Sequence, residues 1–234
     1  MMKSMLFRKN NPFLINLLIL TGNILFFSPF AKSNGIGSAA EISIGYSINN
    51  NWSMASKIES SHNLYSFDEK TNDSWNYNYQ GTDIQLFINR SINPFWRLAL
   101  GYQLGTEPGS ISKNRTIQQL TYSRKPEGIL FGHRMRTDQT YYTDDSPQFR
   151  LRYRFLLEIP LQGLAIDPRE FYLITSDELI FELQNSDVEL ENTLALWLGY
   201  QFLSGNELQT GVDYITDSGN NQKIWLRIAI NLRL

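Results

Sequence analysis

The stretch Phe149-Arg150-Leu151-Arg152-Tyr153-Arg154-Phe155-Leu156-Leu157-Glu158-Ile159 predicts the fold of this chain. Its odd-numbered positions are all apolar or aromatic, whereas its even-numbered positions hold arginine, leucine and glutamate. Only a β-strand, with a side-chain period of two, places these two sets on opposite faces. At about 3.4 Å per residue the stretch spans roughly 35 Å, which matches the hydrocarbon layer of a bilayer when the strand is tilted. The pattern therefore predicts a transmembrane strand with an apolar outer face and a charged inner face.

The rest of the chain from Ala39 repeats this pattern in segments of about ten residues, without a helical period. The predicted strands lie at 41–48, 52–61, 82–92, 95–105, 115–124, 127–140, 147–159, 170–183, 193–203, 207–215 and 223–233. Eleven segments are recognised, but single-chain bacterial outer-membrane barrels have an even number of strands. We therefore expect about 12 strands, with 10 as the alternative.

The predicted connections alternate in length, as expected for short periplasmic turns and longer extracellular loops. The short turns are Asn49-Asn50-Asn51, Asn93-Pro94, Lys125-Pro126 and Ser204-Gly205-Asn206. The longer loops are 62–81, 106–114, 141–146, 184–192 and 216–222. The connection at 160–169 is the exception, because it is longer than its place in the series predicts.

Alternation alone does not say which face of the barrel is inside, because a soluble barrel has the same period with its apolar side inward. Lysine usage favours the membrane. Of the five lysines after residue 33, only Lys57 lies well inside a predicted strand, although a water-facing wall usually carries lysine there. The fold predicted is an all-β antiparallel transmembrane β-barrel, and a soluble periplasmic binding barrel is the alternative.

The amino terminus resembles an export signal. Lys3, Arg8 and Lys9 precede an apolar run, and the run ends in the small residues around Ala31 and Ser33. We predict a signal peptide at 1–33 and the barrel at 34–234, with a retained membrane anchor as the alternative. The predicted location is the outer membrane of a Gram-negative cell. The partners expected are outer-membrane lipid and, during assembly, the barrel-insertion machinery.

Composition excludes several classes of function. Removal of residues 1–33 would remove four of the 21 basic residues and none of the 23 acidic residues. The remaining chain would have 17 basic and 23 acidic residues, a net charge of −6. Such a chain without basic runs gives no indication of nucleic-acid binding. The absence of cysteine excludes disulfides and thiolate chemistry. No cofactor is expected.

Charged residues concentrate on three consecutive predicted strands, which antiparallel pairing would place side by side in the lumen. This predicted lumen charge cluster consists of Arg134, Arg136, Asp138, Arg150, Arg152, Arg154, Glu158, Glu178 and Glu182. One interpretation is a ladder of ion pairs that fills the interior, since buried charges must be paired. The other is a constriction or anion site, because arginine favours anions and phosphates. An arginine without an acidic partner would distinguish the two.

Catalysis has little support in the sequence, and we predict no catalytic residue, no metal site and no enzyme. A hydrolase would need a histidine paired with a nucleophile and oriented by a third group. His62 falls in a predicted loop, and His133 falls on the apolar face, where it marks the membrane interface. An outer-membrane enzyme that modifies lipid or envelope polymer is the alternative.

Three motifs resemble a known bacterial family. They are Gly132-His133-Arg134-Met135-Arg136, the arginine stripe at 149–154, and Ser176-Asp177-Glu178-Leu179-Ile180-Phe181. The pieces Leu198-Gly199-Tyr200-Gln201-Phe202 and Gly211-Val212-Asp213-Tyr214 fit as well. The family comprises exported barrels of about this length and is known only as a domain of unknown function. The resemblance implies an outer-membrane β-barrel over about 39–234 and transfers no activity. The role expected is structural, or that of a narrow, porin-like barrel that passes or binds a small solute.

Overall fold

The structure is a computed structural model that describes residues 35–66, 74–107, 110–143, 145–219 and 221–234. The predicted signal peptide at 1–33 lies outside the described residues. Eleven strands form a closed barrel in which neighbours along the chain are neighbours in the sheet. The strands are β1 (Gly35–Ser47), β2 (Trp52–Ser66), β3 (Ser74–Ser91), β4 (Trp96–Glu107), β5 (Ser110–Arg124), β6 (Leu130–Tyr142), β7 (Gln148–Pro160), β8 (Phe171–Gln184), β9 (Asp187–Gln201), β10 (Glu207–Asp217) and β11 (Gln222–Arg233).

The barrel is closed by β1 and β11, which run parallel, whereas all other neighbouring pairs are antiparallel. An odd number of up-and-down strands requires this, because the first and last strands then point the same way. Gly35 pairs with Lys223 and Gly45 with Arg233, so the parallel ladder covers most of both strands. The eleven segments recognised in the sequence therefore complete the described wall, one strand fewer than the twelve preferred. Parallel pairing is only slightly weaker per residue, so it can close a barrel.

One end of the barrel, called the turn rim, carries the connections at 48–51, 92–95, 125–129, 161–170 and 202–206. Two of these turns are organised by asparagine. Asn49 Oδ1 accepts hydrogen bonds from the backbone N–H groups of Asn51 and Trp52, at 2.9 and 3.0 Å. Asn93 Oδ1 likewise accepts hydrogen bonds from the backbone N–H groups of Phe95 and Trp96, at 2.9 Å each. The four short turns lie where the sequence predicts them, and two of them are stabilised as Asx turns. The connection at 161–170 is long, as predicted for 160–169.

The opposite end, called the hairpin rim, differs from the prediction. Much of 62–81, 106–114 and 184–192 was predicted as loop but belongs to strands that continue past the apolar wall. The turn between β8 and β9 is only Asn185-Ser186, with φ of 51° and 69°, the left-handed pair that a tight hairpin needs. Polar Asn, Ser and Tyr residues indicate a loop by composition, but their backbones pair with the neighbouring strand here.

The outward face of the wall is apolar on most strands. Leu86, Leu100 and Leu196 are 56%, 54% and 57% exposed. The pair β5 and β6 is the exception, because four outward polar side chains hydrogen-bond to one another there: Thr116, Gln118, Thr137 and Gln139. Aromatic side chains meet at the turn rim, where the ring centroids of Trp96 and Tyr122 are 5.0 Å apart. Among the described residues, no helix is both long enough and apolar enough to cross a membrane.

Large inward side chains lie over glycines of the neighbouring strand. Tyr172 of β8 pairs with Gly199 of β9, and a Cβ at position 199 would overlap the tyrosine ring. Trp197 lies over Gly211, and Trp225 over Gly37, in the same way. Glycine at these positions lets the ring lie flat against the backbone, which fills the lumen without distorting the sheet.

Candidate functional site in the barrel lumen

The predicted lumen charge cluster is assembled by the register of β6, β7 and β8. Asp138 pairs with Arg150 across β6 and β7, and Arg136 with Arg152. Across β7 and β8, Arg154 pairs with Glu178. All these side chains point inward, because positions separated by two residues share a face. The register places the three charged rows side by side.

Glu178 is the centre of the cluster and is only 2% exposed. Its Oε1 accepts a hydrogen bond from Arg134 Nη2 at 2.9 Å and its Oε2 one from Arg154 Nη2 at 2.6 Å. Arg152 binds both oxygens, each at 3.1 Å. One carboxylate therefore holds three guanidinium groups. Charge-assisted hydrogen bonds of this kind are about twice as strong as neutral ones.

Asp138 is the second buried acid and is fully inaccessible to solvent. Arg136 Nε donates to its Oδ1 at 2.6 Å. Its Oδ2 lies farther from two other arginines, 3.6 Å from Arg152 Nη1 and 3.9 Å from Arg150 Nε. Asp138 thus forms one strong pair and two weak ones.

The two remaining predicted acids are less involved. Glu182 lies 3.9 Å from Arg150 and accepts a hydrogen bond from Gln148 Nε2. Glu158 lines the lumen cavity, but within the described part of the chain it forms no ion pair with an arginine. The structure therefore brings eight of the nine predicted residues into one ion-pair network and leaves Glu158 nearer the turn rim.

Arg115 belongs to this site but was not predicted, because it stands at the first position of the predicted strand 115–124. It is 7% exposed. Its Nε donates to Thr140 Oγ1 at 2.8 Å and its Nη1 to Gln103 Oε1 at 3.3 Å. Both acceptors are neutral. The alternation Arg115-x-Ile117-x-Gln119 is the signal that could have identified an inward arginine here.

The opposite side of the lumen, formed by β1, β2, β10 and β11, carries a separate ion-pair network. Lys57 Nζ lies 2.6 Å from Glu41 and 2.9 Å from Glu59. Arg227 lies 3.1 Å from Glu59 and 2.7 Å from Asp213. Three acids against two bases give this opposite wall a small negative excess. The lumen is therefore positive on one side and slightly negative on the other.

Between these two walls lies a cavity of about 430 Å³. Around it the lumen is filled by side chains that are less than 2% exposed, such as Tyr172, Ile117 and Gln103. Tyr172 is held by its hydroxyl, which donates to Glu207 Oε2 at 3.0 Å and accepts from Gln209 Nε2 at 2.9 Å. The interior thus holds a bounded polar chamber.

The two histidines lie on the outer wall. His133 Nδ1 is 2.8 Å from the Tyr153 hydroxyl, among aromatic rings near the turn rim. His62 was predicted in a loop but lies on β2, where its Nε2 is 3.2 Å from Ser60 Oγ. Its Nδ1 is buried and has no hydrogen-bond partner among the residues described. Within the same residues, no group of three or more acidic or histidine side chains could hold a metal ion.

Comparison with known proteins gives a family and nothing finer. No curated protein and no solved structure matches the chain. A family model described as "Protein of unknown function (DUF2490)" matches residues 40–226, which include all nine residues of the predicted lumen charge cluster. The resemblance to an uncharacterised barrel family is confirmed, and this chain belongs to the DUF2490 family of proteins of unknown function.

Proposed function

We propose that this protein is an integral β-barrel of a bacterial outer membrane, without enzymatic activity, whose lumen is largely filled and retains a chamber for a small solute. The observation that carries the proposal is the outward wall, where large apolar side chains such as Leu100 and Leu196 are more than half exposed. In water an apolar surface of this extent would drive aggregation, whereas acyl chains solvate it.

The dimensions of the wall support this placement. β7 has 13 residues, and at about 3.4 Å per residue it is roughly 44 Å long. Tilted by about 40°, it rises roughly 34 Å, which covers the apolar band and its interfaces. The aromatic contacts at the turn rim, such as Phe171 with Tyr200 at 4.9 Å, lie where an interfacial girdle would be.

Cysteine labelling tests the proposal directly, because the chain has no native thiol. Leu196→Cys and Ala195→Cys place thiols on adjacent residues that face outward and into the chamber, respectively. In membranes, a thiol reagent confined to lipid should modify position 196 and spare position 195. Labelling of position 195 with protection of position 196 would overturn the membrane placement.

Two bulk measurements complete this test. The protein should fractionate with the outer membrane and migrate differently on a denaturing gel before and after heating, as closed barrels do. In planar bilayers the purified barrel should give no large, steady conductance steps, because buried side chains fill the lumen around the chamber. Stable steps would show an open pore instead of a filled one.

A second candidate function is hydrolysis of an envelope lipid, favoured by the Ser60–His62 contact on the outer wall. An outer-wall groove of about 480 Å³ runs beside His62 and is lined in part by Val212, Leu226 and Ile228. A catalytic dyad also needs a group that orients the histidine, and His62 Nδ1 has no such partner among the described residues. Under the main proposal, Ser60→Ala leaves the phospholipid content of the outer membrane unchanged. Loss of a phospholipase activity in Ser60→Ala would establish the second candidate.

A further inference from the structure

The arginines of β5, β6 and β7 outnumber the acids that lie within ion-pair distance of them. We call Arg115, Arg134, Arg136, Arg150, Arg152 and Arg154 the arginine wall. The ion pairs of these six residues reach only three carboxylates, those of Asp138, Glu178 and Glu182. Six guanidinium groups against three carboxylates leave an excess of three positive charges. A lumen filled only by a ladder of ion pairs would have one carboxylate for each guanidinium group.

The excess charge is concentrated on particular residues. No carboxylate of the described residues lies within 4 Å of Arg115, whose partners Thr140 and Gln103 are neutral. Arg150 reaches acids only at 3.9 Å. A buried cation without a close counter-ion is unfavourable, so an anion bound beside these two groups would stabilise them.

Hydrogen-bond donors are also left over. The Nε atoms of Arg134 and Arg150 are buried and meet no acceptor in the described part of the structure. Glu178 already binds three guanidinium groups, and Asp138 pairs closely with Arg136. Asp138 Oδ2 is likewise buried without a hydrogen-bond partner among the described residues, but it lies 3.9 Å from Arg150 Nε, too far for a hydrogen bond. Neither donor is therefore satisfied by a neighbouring carboxylate.

The arginine wall presents this charge to the chamber. All six of its members line the cavity of about 430 Å³. Asp138 and Glu178 are 0% and 2% exposed, so they lie behind the guanidinium groups, which form the surface of the chamber. The facing surface carries Glu41, Glu59 and Asp213, and Asp83 and Glu158 also line the cavity. That acidic side opposes entry of a long polyanion but leaves room for one compact anion against the arginines.

From these observations we propose that the chamber binds a phosphate group, either as free phosphate or on a small phosphorylated molecule. Tetrahedral oxyanions accept paired hydrogen bonds from several planar guanidinium groups at once, and three excess charges suit a multivalent anion better than a halide. Arg115 and Arg150 are the residues assigned to it. The inference rests on the proposed solute chamber and names the class of solute.

Calorimetric titration of the refolded full chain in detergent, at constant ionic strength set with chloride, tests the proposal. Inorganic phosphate should bind and should raise the unfolding temperature. Glycerol 3-phosphate, titrated separately, distinguishes free phosphate from a phosphorylated small molecule by which of the two binds more tightly. Binding of neither ligand, or equally tight binding of a dicarboxylate such as succinate, would overturn the phosphate assignment.

Substitutions separate a binding role from a structural one. Arg115→Gln and Arg150→Gln should each weaken phosphate binding by about tenfold or more, since each removes a charge-assisted contact. Without phosphate, Arg115→Gln should be at least as stable as wild type, because it removes an unpaired buried charge. Arg90→Gln is the matched control, since Arg90 lies over the Trp52 ring at the turn rim, outside the chamber. A less stable Arg115→Gln that still binds phosphate as wild type does would show a structural role only.

If Arg115→Gln does not fold, Arg150→Lys provides the same test. Lysine keeps the charge but loses the planar fork, so phosphate should bind more weakly than to wild type, and unchanged phosphate affinity would contradict a role of Arg150 in the site. Failure of the phosphate site is distinguishable from failure of the membrane proposal. Labelling at positions 195 and 196 reports membrane placement whether or not phosphate binds.

Discussion

At the scale of single residues, Glu178 holds the lumen together. It is buried and accepts hydrogen bonds from Arg134, Arg152 and Arg154. Arg134 and Arg154 pair directly across β6 and β7, so their positive charges would repel each other without the Glu178 carboxylate. The sequence predicted that these arginines and Glu178 share a face. It did not show that one acid would serve three bases.

Glu178→Gln should therefore destabilise the barrel severely. The substitution keeps the shape but leaves three guanidinium groups without their counter-ion, and breaking buried pairs costs about 3–5 kcal/mol. Equilibrium unfolding of the refolded protein in urea measures the loss. Glu158→Gln is the control and should change the free energy of unfolding little, because Glu158 forms no ion pair with the described arginines. Equal effects of both substitutions would contradict the central role of Glu178.

Gly199 gives a second prediction at this scale. A side chain at position 199 would collide with the Tyr172 ring, which is 1% exposed and has little room to move. Gly199→Val should therefore lower the free energy of unfolding by about 1–3 kcal/mol, the usual cost of overpacking. At Gly45 a Cβ would meet only a backbone oxygen at 3.9 Å, so Gly45→Val should be tolerated. The same unfolding experiment compares the two variants, and a tolerated Gly199→Val would show that the ring can move aside.

At the scale of elements, the decisive feature is the parallel contact between β1 and β11. It makes an odd-stranded barrel possible and removes the free edges that would otherwise pair with other chains. Sequence patterns identify strands one at a time, so they recognised eleven segments. Because a pattern within one strand does not show which strands close the barrel, the number of strands was taken from the even-number rule for bacterial outer-membrane barrels. That rule favoured twelve strands.

A disulfide tests this closure. Ala40 on β1 pairs with Ile228 on β11, and neighbouring strands lie about 4.8 Å apart, within the range that a disulfide bridges. The double variant Ala40→Cys/Ile228→Cys should form an internal cross-link on oxidation, seen as a mobility shift on a non-reducing denaturing gel. Ala40→Cys/Val212→Cys should not, since β11 separates the two positions. An absent cross-link in the first variant would mean that the barrel closes differently.

At the scale of the whole molecule, the chain separates a largely apolar exterior from a charged interior. The exterior decides where the protein can reside. Outward leucines such as Leu86, Leu100 and Leu196 have no partner within the described chain that covers them, and each remains more than half exposed. The interior decides what the protein can bind, because its positive and negative sides face one chamber.

Leu100→Arg should distinguish a membrane barrel from a soluble one. On a lipid-facing wall an arginine costs about 2–4 kcal/mol near the bilayer midplane, whereas on a water-facing wall it costs little. Folding yield into lipid vesicles should therefore fall for Leu100→Arg. Leu164→Arg is the control, because Leu164 is 81% exposed in the connection at the turn rim, and its yield should match wild type. Equal yields for both variants would contradict a lipid-facing wall at position 100.

The period-two pattern of the sequence determined which residues share a face of the wall and that arginines and acids lie on the same face, and the turn residues determined where the connections at the turn rim fall. These properties are local, because the two-residue alternation and the Asx turns are encoded within a few neighbouring residues. Only the tertiary structure decided the closure by parallel strands, the length of the hairpins, the Ser60–His62 contact and the isolation of Arg115 from any described carboxylate. Those properties depend on register between strands and on curvature of the closed wall, which bring together side chains far apart in sequence and which no single strand specifies.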